Sequence, residues 1–155
     1  MEIQQLLSPD AVFAGLKASS KRQALQELSE RAATLTGIAS REILETILGR
    51  ERLGTTGVGQ GVAIPHGRLD KIDRLYGLFA KLDEPIDFES IDDQPVDLIF
   101  MLLAPESAGA DHLKALAKVS RLLRDRAMCE KLRGADGSGA LYALLTQGTT
   151  QTNAA

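Results

Sequence analysis

The chain has little of what builds cross-links or metal centres: one cysteine and two histidines in 155 residues. Cys129 alone cannot close an internal disulfide, and with only His66 and His112 beside it the chain cannot complete a zinc site; no metal and no cofactor are expected. A reducing, cytoplasmic setting fits that poverty best, with Cys129 as a small packing residue in a helix. The amino terminus, Met1-Glu-Ile-Gln-Gln, lacks a basic region followed by an apolar core, so no secretory signal is expected. The longest strongly apolar run, Leu98 to Ala104, is far too short for a membrane segment. A net charge of −3 and a pI near 5.4 offer no basic face for nucleic acid. Internal repeats and low-complexity linkers are absent as well. What remains is 44% hydrophobic and 25% charged, too apolar for a disordered or fibrous protein and long enough for one domain with a sizeable core. That domain is expected over residues 1–148, with 149–155, polar and small, as a flexible carboxyl-terminal tail.

Glycine is concentrated in one place. Gly54, Gly57, Gly59 and Gly61 precede a short apolar run, Val62 to Ile64, and then Pro65-His66-Gly67. Two nucleotide-binding readings fail on spacing. A P-loop needs Gly-Lys-Ser or Gly-Lys-Thr, and no lysine lies between Gly54 and Arg68; a Rossmann fingerprint needs a strand before and a helix after, and here the glycines run into a β-branched segment. The expected local structure is a flexible or tightly turned approach followed by a short strand. Pro65 is expected to end strand pairing and Gly67 to deny His66 a bulky neighbour, leaving an open ring at a strand end. A histidine there can simply hydrogen-bond a loop. So permissive a surround, however, suits the approach of a macromolecule or a phosphoryl group to an imidazole.

The flanks read as scaffold. Residues 11–18 can form a strand weakened by Gly15. Ser20 with Gln23 resembles a capping box for a helix carrying Leu25, Leu28, Ala32 and Leu35 to Gly37. A second helix starts at Ser40, with Ile43, Leu44, Ile47 and Leu48 inward and Arg50 near its carboxyl end, where a cation suits the helix dipole. A strand is expected over 75–82, a loop over 83–95, and a strand over 96–103 whose continuous apolar character implies burial on both faces. Asp97 within it needs hydrogen-bond partners if buried. Asp111 should cap a helix carrying Leu113, Leu116, Ala117, Val119, Leu122 and Leu123, which puts His112 in its first turn. Asp125 should start a short further helix to Arg133, closed by Gly134, and Ser138 should cap a last one with Leu141, Leu144 and Leu145 inward.

A phosphoryl group in transit needs an accessible nucleophile and donors for its charged oxygens. Neutral imidazole supplies the first, and His66 is the candidate; glycine-loop N–H groups, an arginine, a second histidine or the helix amino end near Asp111 could supply the second. The residues alone do not bring these together.

The segment Gly61-Val-Ala-Ile-Pro-His66-Gly, preceded by Arg50-Glu-Arg-Leu-Gly-Thr-Thr-Gly-Val-Gly, resembles the phosphorylation-site signature of the fructose/mannitol-type IIA proteins of the bacterial phosphotransferase system, and within them the nitrogen-related branch. The likeness continues through Pro85 to Phe100 and Leu103-Ala-Pro-Glu…His112-Leu-Lys-Ala-Leu, covering roughly residues 5 to 147. It implies an α/β fold, a three-layer α/β/α sandwich with a mixed β-sheet flanked by helices. It also implies His66 as the residue phosphorylated, through its outward Nε2, by a histidine phosphocarrier protein of the HPr/NPr type. Arg50 and His112 match the family's other site positions. Three functions stay open: a phosphoryl carrier whose state regulates targets such as potassium-transport or sensor-kinase components, a sugar-uptake IIA component that passes phosphate to a IIB domain, and a non-catalytic protein-binding module.

Overall fold

Between Val96 and Pro105 (β6) only Asp97 is not fully buried. A strand covered on both faces needs neighbours at both edges and helices above and below. The computed structural model, which describes residues 1–154 and the side chains of 1–147, provides them. The sheet has six strands in the order β1 (Val12–Leu16), β5 (Tyr76–Ile86), β6, β3 (Val62–Ala63), β2 (Gly57–Gly59), and β4 (His66–Leu69) also pairs with β6. It is mixed: β5 runs antiparallel to β6, β1 parallel to β5, β3 and β4 parallel to β6, and β2 antiparallel to β3. On one face α2 (Lys21–Thr36) and α3 (Ser40–Glu51) pack together against β5 and β4. On the other, α4 (Ala110–Arg124) meets β6 and α6 (Ser138–Ala154) meets β1, with α1 (Ile3–Leu6) and α5 (Arg126–Gly134) packed on them. This is the expected α/β sandwich. The tail anticipated at 149–155 lies outside the residues whose side chains are described.

Local chemistry sets most boundaries. Ser20 Oγ accepts from Gln23 N at 3.1 Å, and Gly37 ends α2 at φ 78°. The capping box differs from expectation by one residue, since the Gln23 carboxamide accepts from Ser19 N at 2.8 Å rather than from Ser20. Asp125 caps α5 by accepting from Met128 N at 3.2 Å.

Three expectations are corrected. The loop expected from 83 begins later, because Ile86 still pairs with Val96; the β5 register shifts between Lys81 and Ile86, and that irregularity accommodates Pro85. Asp111 is not the cap of α4; Gly109 holds that place at φ 41°, without a side-chain bond. The inward stripe of α4 is rotated, with His112, Ala115, Val119 and Leu123 buried at helical spacing and Leu113 66% exposed. An inward histidine in the first turn displaces its neighbour to solvent. Asp97, by contrast, has the partners it needs: Arg133 Nε donates to its Oδ2 at 2.9 Å and Nη2 to its Oδ1 at 2.9 Å. Cys129 packs inside α5 with its thiol against the Leu123 carbonyl, and burial pushes its pKa up.

Candidate functional site

The glycine-rich approach is pinned rather than loose. Glu51, the last residue of α3, is buried although charged; its carboxylate accepts from Thr56 N at 3.1 Å, from Thr56 Oγ1, and from Lys21 Nζ at 2.9 Å. Gln60 is held at both ends, its N–H by Asp92 at 2.9 Å and its carbonyl by Arg133 Nη2 at 2.9 Å. Gly61 follows at φ 81°, where a side chain would be strained, and its carbonyl accepts from both Asp97 N and Leu98 N at 3.1 Å.

Pro65 interrupts the strand but does not end it. Val62 lies opposite Leu98 and His66 opposite Leu102, so no register is lost across the break, and the Pro65 carbonyl still accepts from Leu102 N at 2.9 Å. Ile64 leaves the β6 ladder at that break, and its carbonyl turns to the His66 ring, 2.9 Å from Nδ1. A carbonyl can only accept, so Nδ1 carries the hydrogen and Nε2 keeps its lone pair.

Along β4 the side chains alternate between faces. His66 and Arg68 point to the α4 side; Gly67 and Leu69 point to the α3 side. Gly67 is therefore not what opens the His66 ring. A Cβ at Gly67 would stand 2.8 Å from Thr46 Cγ2 and 3.5 Å from Ile47 Cδ1, so the missing side chain lets α3 lie close on β4.

His112 reaches the same spot from the first turn of α4. The two imidazoles meet edge to face, centroids 5.7 Å apart and planes at 73°, with His66 half-buried and His112 5% exposed. Arg68 Nε donates to His112 Nδ1 at 3.1 Å, while His112 Nε2 is buried with no hydrogen-bond partner among the described residues. Arg50, in the last turn of α3, bonds the Gly54 carbonyl through Nη1 at 2.9 Å, and its charge acts on the His66 ring. The structure thus brings His66 and His112 into ring contact and sets Arg50 within electrostatic reach of His66.

Both histidines titrate below the ordinary 6.5. For His66 burial is the main cause and Arg50 adds to it, while the Ile64 carbonyl and the Glu51 carboxylate act the other way. For His112 burial comes first, followed by the repulsion that a protonated His66 would exert and by the charge of Arg68. At neutral pH both rings are uncharged, which keeps the Nε2 lone pair of His66 available.

Glu51 and Arg68 were not singled out from the sequence, yet both carried a signal. Glu51 continues the spacing of Ile43 and Ile47, and Arg68 stands two residues beyond His66 on a strand. Among the described residues no group of three or more His, Cys, Asp or Glu side chains is placed to hold a metal, and no helix is long and apolar enough to cross a membrane.

Comparison with known proteins gives one consistent result. Residues 5–148 match the family described as phosphoenolpyruvate-dependent sugar phosphotransferase system, EIIA 2. A nitrogen regulatory protein of Bradyrhizobium diazoefficiens is 59% identical over 145 residues, covering 94% of this chain and 95% of its own length. One from Escherichia coli is 38% identical over 147 residues, covering 94% and 90%. The crystal structure of nitrogen regulatory protein IIA-Ntr from Neisseria meningitidis superposes with a TM-score of 0.89 at 33% identity, covering 93% of this chain and 99% of its own.

Proposed function

The chain belongs to the EIIA 2 family of the phosphoenolpyruvate-dependent sugar phosphotransferase system, and from that premise we propose that it is a phosphoryl carrier whose nucleophile is His66. One observation carries the reading: the Ile64 carbonyl takes the Nδ1 hydrogen, so the free Nε2 lone pair belongs to a ring held neutral at physiological pH. In the transfer, that lone pair forms a new N–P bond as the N–P bond in a histidine phosphocarrier protein breaks. The bonding pair returns to the donor's ring, and no proton has to leave His66. The phosphorylated ring gains positive charge, which the Nδ1–H bond to Ile64 stabilises. Arg50 offers a guanidinium to the phosphoryl oxygens and His112 a buried N–H.

A macromolecular donor suits the surface. Leu53, 84% exposed, lies three residues after Arg50, and Leu113, 66% exposed, directly follows His112. Both are large apolar side chains in solvent on the segments that carry Arg50 and His112, where a protein donor would dock. The regulatory role rests on the likeness to relatives that are nitrogen regulatory proteins; the phosphorylation state of His66 would then alter binding to regulated targets.

Intact-mass analysis after incubation with a phosphoenolpyruvate-driven phosphocarrier relay tests the carrier reading. Wild type should gain about 80 Da, one acid-labile phosphoryl group, and His66→Ala none. No gain by wild type with a competent relay would overturn it.

A further inference from the structure

Arg68 stands in the site, yet the transfer chemistry above gives it no task. An arginine has five donors and no acceptor and does not deprotonate in proteins. Its Nε–H on His112 Nδ1 at 3.1 Å therefore settles which partner accepts. His112 Nδ1 must be bare, and the hydrogen of the neutral ring must sit on Nε2. That nitrogen is the orphan, buried without a partner among the described residues on a ring packed edge to face against His66. That N–H has no protein partner among the described residues, which leaves it available to a group that enters the site beside His66.

We propose that Arg68 is a positioning residue: it holds His112 in the neutral, Nε2–H form and so aims a hydrogen-bond donor at the phosphoryl group carried on His66 Nε2. This rests on the carrier reading for its purpose but not for its geometry. The two histidines would then be opposite tautomers, each set by a neighbour's hydrogen bond. Ile64 O, an acceptor, places the hydrogen of His66 on Nδ1; Arg68 Nε, a donor, places that of His112 on Nε2. The nucleophile presents a lone pair and its companion presents a hydrogen. Reversing either tautomer would remove lone pair or donor.

The charged and titratable groups acting on His112 are His66 and Arg68, both from β4, and both oppose its protonation in the same direction as its burial. A protonated His112 would carry hydrogen on Nδ1 as well, pointing it at a guanidinium. Arg68 therefore guards against the imidazolium as well as against the other tautomer.

Long-range ¹H–¹⁵N correlation spectra of histidine-labelled protein read all four ring nitrogens, and a chain with two histidines leaves no crowding. Unphosphorylated wild type should show protonated Nδ1 and bare Nε2 for His66, and the reverse for His112. In Arg68→Met, His112 Nδ1 should take up a proton at higher pH than in wild type while the His66 pattern stays unchanged, which reports an intact fold. Arg68→Lys, which keeps a donor and a charge, should restore the His112 pattern. The rate of phosphoryl uptake should fall about tenfold in Arg68→Met, the worth of one orienting hydrogen bond, and recover in Arg68→Lys. A protonated His112 Nδ1 in wild type, or a His112 titration indifferent to Arg68→Met, overturns the proposal. Failure of wild type to take up phosphoryl overturns the carrier reading alone, because the tautomers are read on unphosphorylated protein.

Discussion

Gly67→Ala is the substitution for which packing behind the strand and openness before the ring make opposite forecasts. A Cβ there would sit 2.8 Å from Thr46 Cγ2. Thr46 cannot swing aside easily, because its Oγ1 donates to the Glu42 carbonyl at 3.0 Å and fixes the rotamer on α3. Something in the α3 to β4 contact must shift, at a cost of about 1–3 kcal/mol for overpacking. Against this stands a gain of about 0.4–1 kcal/mol, since alanine restricts the unfolded chain and the backbone at Gly67 is not in the left-handed region. The net loss should be about 1–2 kcal/mol, an urea midpoint lower by about 0.5–1 M. Phosphoryl uptake should fall with it, because His66 and Gly67 are consecutive on β4.

Thr46→Ser removes Cγ2 and keeps the hydroxyl. In that background Gly67→Ala should cost nothing or stabilise slightly, so a double-mutant cycle should return the overpacking contribution itself, about 1–3 kcal/mol, as the coupling between the two sites. Uptake should recover in the double variant. Strict additivity would refute the argument that Gly67 exists to let α3 approach β4. Recovery of stability without recovery of uptake would return Gly67 to the role of keeping the His66 ring clear.

Other perturbations read the electrostatics. Both histidines titrate below 6.5 in the folded chain, so just under that value the unfolded chain binds more protons; stability should rise with pH through this window and fall as pH drops below 6.5, by at most about 1.4 kcal/mol per pH unit for each histidine. Urea unfolding at several pH values should show a shallower dependence in His112→Gln. Arg50→Gln should raise the His66 pKa and Glu51→Gln should lower it, measured by proton titration of the ring; equal directions would contradict the opposed placement of the two charges. Glu51→Gln should also cost about 1–3 kcal/mol of stability, because it weakens the bonds to Lys21 and Thr56 at a buried position.

The periodic parts of the fold were legible: α2 with its Ser20 cap and Gly37 stop, the continuous apolar run of β6 and the α5 start at Asp125 follow from local chemistry, whereas Ser138 is the first residue of α6 and not its cap, the Gly137 carbonyl accepting from Leu141 N. His66 was legible for a different reason, namely the density of glycine and proline around it. Arg68 was hidden by a single assumption. If Pro65 ends the strand, residue 68 belongs to no face; once β4 starts at His66, the i, i+2 rule puts Arg68 beside it. Glu51 was hidden by its charge, and three donors from Thr56 and Lys21 are what hold it inward on α3. The meeting of Arg50, His66 and His112 is not a local property at all. It depends on β4 running parallel to β6, so that the chain leaving β6 through the short turn Glu106–Ala108 starts α4 beside the His66 ring.

That dependence gives the Asp97–Arg133 pair a reach beyond stability. The side chains are 22% and 36% exposed, so the bidentate bond itself contributes about 1.5–3 kcal/mol, as hydrogen bonds to charged groups do. Arg133 Nη2 also holds the Gln60 carbonyl, and Gly61 is bonded to the Asp97 and Leu98 amides, so one guanidinium fixes where the chain enters β3. From there the path runs without slack through Val62 and Ala63 to the Ile64 carbonyl, the group that sets the tautomer of His66. Arg133→Met should lower stability by about 1.5–3 kcal/mol. It should also blur the His66 tautomer in the long-range nitrogen spectrum, although Arg133 lies on α5 and no bond joins it to either histidine. Loss of stability with an unchanged His66 pattern would mean that β3 holds the Ile64 carbonyl unaided, through its pairing with β6. A mixed pattern would mean that His66, the proposed nucleophile, is preorganised by an ion pair at the other end of its own strand.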